Sequence, residues 1–255
     1  MGIDPQEFLK SKHKSITLLG MSGVGKTYLS GLLEQWGWAR YSCDYEIGNR
    51  YLKDQLGGAM RTPDDMQALS NFIGKLGNPK LGGLDFETFK LRQRAYYDAE
   101  CRAVSGVPDA IKRAHENGIS NFVHDSTGSL CEIMDESLLE ALGRHTFFIY
   151  LKAGAEEERM VLERAQEVPK PLFFPPNQFE EWVREYLYEE GLDTDEAMEP
   201  DAFARWVFPK LFAARLPKYQ GLADRYGITI ECRAFFDVVN EKSFLKRIEQ
   251  AINGA

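Results

Sequence analysis

The residues best suited to chemistry lie near the start of the chain, in Ser15-Ile-Thr-Leu-Leu-Gly20-Met-Ser-Gly23-Val-Gly25-Lys26-Thr27. Gly20, Gly25, Lys26 and Thr27 spell G-x-x-x-x-G-K-T, the pattern of a phosphate-binding loop. Glycine permits positive φ and puts no side chain in the way of an approaching phosphate. The backbone from Gly20 through Met21, Ser22, Gly23, Val24 and Gly25 can then surround a β-phosphate. The positive end of a helix that includes Tyr28 lies behind it. Lys26 is placed to reach the β- and γ-phosphates, and the Thr27 hydroxyl to help hold Mg²⁺. An apolar, β-leaning run, Ile16 to Leu19, enters the loop, and a helix-like segment, Tyr28 to Gln35, leaves it. That is the context the motif requires. ATP with Mg²⁺ is the expected ligand.

Two carboxylates fall where such a ligand could meet them. Asp125 ends a strand expected over Ile119 to His124, and ligands of open parallel sheets lie at the carboxyl ends of strands. It could hold Mg²⁺ through water, act as general base on a substrate hydroxyl, or cap the turn Asp125-Ser-Thr-Gly128. His124, pointing to the other face, is expected to be structural. Asp44 ends a second short strand, Ala39 to Cys43. It could bind an acceptor hydroxyl or cap the helix that leads to Arg50. Basic residues are scattered at Lys90, Arg92, Arg94, Arg164, Lys170 and Arg215, and spacing alone does not choose among them.

The elements that must position these residues alternate. Strands are expected to begin near Ile16, Ala39, Ile119, Thr146 and Ile228, with Thr146 to Leu151 the most apolar and central in the sheet. A short helix is expected around Pro5 to Lys12. Thr62-Pro63-Asp64-Asp65 reads as a helix start running to about Leu76, and Gly77 to Gly83 as its break. Longer helices are expected over Asp85 to Val104, Pro108 to Glu116, Ala155 to Gln166 and Gln178 to Glu190. The last carries Phe179, Trp182, Val183, Tyr186 and Leu187 as one apolar stripe. Residues 191–200 read as an acidic loop, and a pair of helices brackets the strand Gly227 to Cys232. Helices alternating with long apolar strands predict an α/β, three-layer fold around a five-stranded parallel sheet.

Composition bounds the partners. The chain has 255 residues, 44% of them hydrophobic, and a net charge of −8. This length allows one α/β domain with insertions. The negative balance argues against broad nucleic-acid or anionic-membrane binding, leaving a small-molecule partner. Cys43, Cys101, Cys131 and Cys232 are scattered without a C-x-x-C pair, as buried thiols of a cytosolic protein are. No signal-peptide core or membrane-span-length apolar stretch is read, so the expected location is cytoplasmic.

Taken together, the chain resembles shikimate kinase and, more broadly, the shikimate and gluconate kinase group. The likeness rests on the Ile16–Thr27 stretch; on Tyr41-Ser-Cys-Asp44-Tyr-Glu-Ile47, similar to D-S-D-x-x-I; on Phe148–Leu151 followed by Arg164 and Val168-Pro-Lys170-Pro-Leu172, similar to the R-P-L-L lid; and on Arg215-Leu-Pro-Lys-Tyr219 through Asp224, similar to R-x-P-L-Y-x-x-x-A-D. The resemblance implies that Asp44 binds acceptor hydroxyls, Arg215 grips an acceptor carboxylate, Arg164 stacks on adenine and Lys170 closes over the transferring phosphate. It also sets Lys90 at a second acceptor-binding position and Gly128 beside the acceptor.

Departures from that pattern are specific. Ser42 stands where the group has its first Asp, and Asp125-Ser-Thr-Gly-Ser129 replaces a G-G-G loop. Lys170 stands for an arginine, exchanging a planar fork for a point charge. Insertions fall at about 57–85 in the acceptor region and 178–205 after the lid, within one phosphate-loop kinase domain spanning 1–255. The expected activity is ATP-dependent phosphorylation of a small, anionic acceptor other than shikimate. A regulatory or partner-binding ATPase and a nucleotide-acceptor kinase are the alternatives.

Overall fold

The computed structural model describes residues 2–60, 67–175 and 178–254. The expected helix start at Thr62 to Asp65 lies outside the described residues, as does Pro176. Five strands form one parallel sheet: β1 (Ser15–Leu19), β2 (Ala39–Ser42), β3 (Phe122–Asp125), β4 (Phe147–Lys152) and β5 (Gly227–Glu231), in the order β2-β3-β1-β4-β5. Nearly every residue of β1, β3 and β4 is buried, so both faces of the sheet are covered, as in a three-layer α/β fold. β4 is interior, between the central β1 and the edge strand β5.

Register fixes the site. Leu18 of β1 and Ser42 of β2 both lie opposite Asp125 of β3. The chain therefore leaves β1 for the phosphate loop, and β2 for Asp44, at the same edge of the sheet where Asp125 ends β3. The chain order turns back on either side of β1, which makes this edge the place where an open sheet receives ligands.

The helices follow in chain order: α1 (Pro5–Lys10), α2 (Lys26–Gln35), α3 (Cys43–Glu46), α4 (Gln67–Ile73), α5 (Phe86–Ser105), α6 (Val107–Glu116), α7 (Glu136–His145), α8 (Ala155–Glu167), α9 (Phe179–Glu190), α10 (Pro200–Tyr226) and α11 (Glu241–Asn253). Several start as their residues dictate. Asp85 caps α5 by accepting from the Thr88 N–H at 2.9 Å, and Pro200 opens α10 at a position that needs no N–H.

α10 runs 27 residues and passes through Pro209 and Pro217. An interior proline frees the carbonyl four residues earlier. For Pro209 that is Arg205, whose carbonyl instead accepts from the Gln166 side chain of α8 at 2.9 Å. Both prolines are exposed, so neither ring enters a core.

Two hydrophobic clusters meet along α10. Phe212, Tyr219, Leu222 and Tyr226 belong to the core around the sheet. Phe203 and Val207 belong to a second cluster with Leu76, Phe89, Phe174, Phe179, Val183, Tyr186 and Met198. The α9 stripe is thus a packing face. The second cluster joins the two segments read as insertions: the Asn78 N–H donates to the Met198 carbonyl at 2.8 Å, and Lys75 pairs with Asp201.

Candidate functional site

The loop after β1 has the shape its sequence implies. Gly20, Gly23 and Gly25 have φ of 143°, 94° and 97°. A Cβ on Gly20 would lie 2.9 Å from the Leu151 carbonyl oxygen, whereas one on Gly25 would meet no atom within 4 Å. The first glycine lets the loop pass β4, and the second borders open space. Met21 and Val24 are buried in the core around the sheet. Ser22, Thr27 and Tyr28 are exposed at its rim.

Lys26 is buried, and its ammonium donates to the carbonyls of Gly20 and Met21 at 2.7 and 3.1 Å. Burial lowers its pKa, against the attraction of Asp125 and Asp44, which favours the charged form. A cation folded back onto its own loop, with no carboxylate bonded to it among the described residues, has donors to offer an arriving phosphate.

Asp125 is buried, and its Oδ2 accepts from the Ser30 hydroxyl at 2.9 Å and from Arg40 Nη2 at 3.2 Å. Asp44 follows β2 within α3; Ser42, not Asp44, caps that helix by accepting from the Tyr45 N–H. The Tyr96 hydroxyl donates to Asp44 Oδ1 at 3.4 Å. Burial, then the nearby Asp125, pushes the Asp44 carboxyl up to about 6, while Lys26 pulls it back.

Arg215 is buried on α10. Its Nε donates to Glu132 at 3.0 Å and its Nη2 to the Phe173 carbonyl at 2.8 Å. Glu132, itself buried, also takes Lys218 at 2.5 Å. Two cations thus share one carboxylate, and the local charge stays positive.

A cleft of about 480 Å³ collects Lys26, Asp44 and Arg215, while Asp125 lies buried behind its lining residue Ser126 and is not itself among the described residues that line it. Gly25, Lys26 and Thr27 line one part; Asp44, Tyr96, Gly128, Ser129 and Arg215 line the rest, with Lys170 at the mouth. Arg164 lines an adjoining recess of about 160 Å³ with Ser22, Gly23 and Lys170.

Lys90 is not brought to this cleft. It is exposed, pairs with Glu180 at 2.7 Å, and faces a separate groove on the far side of Phe173. Position along a helix does not say which face a side chain takes, and this one turns outward. His124 is fully buried, sits 3.1 Å from the Thr17 hydroxyl and is pushed down to about 3 by burial, so it is neutral and structural.

Sequence reasoning missed four groups that shape the cleft: Arg40, Gln93, Tyr96 as a polar group, and Glu100. Gln93, Tyr96 and Glu100 share one buried face of α5 with Phe89. Polar residues set at the helical spacing of an apolar face were the available signal.

The donor set suits Mg²⁺ bound to phosphates. Among the described residues no three His, Cys, Asp or Glu side chains converge; Thr27 lines the cleft, and the buried Asp125 carboxylate adjoins its lining residue Ser126. Mg²⁺ in phosphate sites takes one or two carboxylates and fills its shell with water and phosphate oxygens.

No helix among the described residues is long and apolar enough to cross a membrane. No protein-family model matches the chain, and no curated protein matches it in sequence. Among solved structures, it is similar to a shikimate kinase from Bacteroides thetaiotaomicron. The two are 12% identical with a TM-score of 0.44, over 94% of this chain and 95% of that one.

Proposed function

We propose that the protein is an ATP-dependent phosphotransferase that moves the γ-phosphoryl group to a hydroxyl of a small, anionic metabolite. One observation carries this reading: a single cleft holds the glycine loop and Lys26 together with Asp44 and the buried Arg215. Such a cleft has a place for a polyphosphate and, beside it, a place for a hydroxylated anion.

In this reading the N–H groups from Gly20 to Gly25 and the start of α2 bind the β-phosphate, and Lys26 turns from its loop carbonyls to the β- and γ-phosphates. Arg164 borders the nucleotide base. Thr27 and Asp125 would hold Mg²⁺, which, when bound, neutralises charge between the β- and γ-phosphates. Arg215 orients the acceptor's carboxylate or other anionic group. Asp44 accepts the acceptor's hydroxyl proton, a task suited to a carboxyl lifted to about 6. As the acceptor oxygen bonds to the γ-phosphorus, the bond to the β–γ bridging oxygen breaks and ADP leaves with that oxygen. Lys170 meets the transferring group from the mouth of the cleft.

The test is ADP release from the full chain across a panel of sugar acids, hydroxy acids, polyols and nucleoside monophosphates, with Lys26→Ala as control. Stimulation by a hydroxy acid, lost in Lys26→Ala while its folded-state circular dichroism stays intact, supports the proposal. Stimulation by nucleoside monophosphates alone makes it a nucleotide kinase. No stimulation by any acceptor, with slow hydrolysis retained, makes it a regulatory ATPase.

A further inference from the structure

Glu100 is fully buried on α5. Its Oε1 accepts hydrogen bonds from the hydroxyls of Thr127 and Ser129, the second at 2.8 Å. Its Oε2 has no hydrogen-bond partner among the described residues. The two hydroxyls flank Gly128, and the Ser129 N–H donates back to Thr127 Oγ1 at 3.2 Å.

This short loop joins the two halves of the cleft. A Cβ on Gly128 would lie 3.4 Å from the Ser22 nitrogen of the phosphate loop, and Ser129 lines the acceptor side. Three elements pin it. The Ser126 hydroxyl donates to the Leu18 carbonyl of β1 at 2.6 Å, the Tyr219 hydroxyl of α10 to the Gly128 carbonyl at 2.5 Å, and α5 supplies Glu100. Glu100 is the pin that can change charge near neutral pH.

Resting on the phosphotransfer reading above, we propose that Glu100 is a positioning residue whose carboxyl group fixes Thr127 and Ser129 and, through them, the backbone that seats the acceptor against the transferring phosphoryl group. Oε1 takes both donors, and Oε2 takes none among the described residues. Ionisation would leave charge on Oε2 in a dry site without a donor. It would also add a negative charge near Asp44.

The ionisable groups that face Glu100 are Cys43 and Asp44 from α3, Tyr96, Tyr97 and Cys101 from its own helix, and Arg215 from α10. Asp44 opposes ionisation, and Arg215 and the two hydroxyls favour it. Burial outweighs them and lifts the carboxyl to about 7.

The test uses the full chain with MgATP as the probe and water as the phosphoryl acceptor. Glu100→Gln keeps an oxygen for both hydroxyls and cannot ionise, whereas Glu100→Ala removes both contacts. Wild-type kcat is expected to fall as pH rises through about 7, a step absent from Glu100→Gln. Glu100→Ala is expected to lose kcat by about tenfold while KM for MgATP stays within about threefold.

A pH step that persists in Glu100→Gln, or a normal kcat in Glu100→Ala, overturns the inference. Hydrogen exchange at the Ser129 amide supplies a readout that needs no turnover: faster in Glu100→Ala, restored by Glu100→Gln. Unchanged protection in Glu100→Ala also overturns it. A wild-type chain that binds no MgATP overturns the phosphotransfer reading, while the exchange result still decides whether Glu100 holds the loop.

Discussion

Arg40 on β2 places Nη2 3.2 Å from Oδ2 of Asp125 on the adjacent β3, and both side chains are buried. The Ser30 hydroxyl shares that same oxygen. Both contacts fall on Oδ2, so Ser30 and Arg40 together fix the direction of the carboxylate. In the phosphotransfer proposal Asp125 helps to hold Mg²⁺ and Asp44 accepts the acceptor's proton.

Removing Arg40 should therefore cost both stability and metal affinity. Breaking a buried ion pair from one side strands a charge, at about 3 kcal/mol. Arg40→Gln is expected to lower the urea midpoint by a corresponding amount. The concentration of Mg²⁺ for half-maximal ATP turnover should rise as Asp125 loses its orientation. Unchanged stability and unchanged Mg²⁺ dependence would count against the pair's role.

Much of this site was readable from residue order because it is local. Gly20 to Thr27 lie within one strand–turn–helix unit, and Asp125 and Asp44 each sit at a strand's end, where the sheet's direction alone brings them to one edge. Arg40 was not readable, since its partner lies across a strand pair in a neighbouring register. Gln93 and Glu100 read as ordinary polar helix residues; only the fold shows that the face carrying them is buried. α10 continues through Pro209 and Pro217. Its two ends are held in two hydrophobic clusters, and Gln166 takes the carbonyl that Pro209 frees.

The phosphate loop can be separated from the fold by one methyl group. Gly25 has φ of 97°, and a Cβ there would stand in open space at the start of α2. Gly25→Ala is expected to cost about 1–3 kcal/mol of backbone strain. By projecting into the phosphate cradle, it should weaken binding of a nonhydrolysable ATP analogue by far more than that strain explains. Calorimetric titration beside a thermal melt checks this; normal affinity in the variant would place the phosphates elsewhere.

Gln93 works as a two-pronged clamp on Leu172 and Phe174. Its Nε2 donates to the Leu172 carbonyl at 3.0 Å and its Oε1 accepts from the Phe174 N–H at 2.9 Å. The Phe173 carbonyl between them takes Arg215. Gln93→Leu leaves the buried Phe174 N–H unmet, at about 1–3 kcal/mol, and the part-buried Leu172 carbonyl without its donor. Because Arg215 loses a fixed partner, KM for the acceptor found in the panel is expected to rise more than KM for MgATP. Equal changes in the two constants would show that the clamp serves stability alone.

Glu100 also sets a pH dependence of stability that can be measured without any substrate. Its carboxyl stands at about 7 in the folded protein against an ordinary value of 4.5, because burial opposes its charge. Between those values the folded chain holds a proton that the unfolded chain has released, so stability falls as pH rises. The contribution is fully present below the unfolded value and is lost as pH climbs through about 7. At 1.36 kcal/mol per unit, the loss is on the order of 3 kcal/mol. Glu100→Gln has no such proton to lose. Denaturant titrations at pH 5, 6, 7 and 8 should show the variant gaining on wild type by most of that amount across the series. The Asp44 carboxyl is raised in the same direction and couples to Glu100, so the comparison is repeated with Asp44→Asn in both chains. A constant gap at every pH would mean that Glu100 is ionised in the folded protein and that its unpartnered oxygen carries charge.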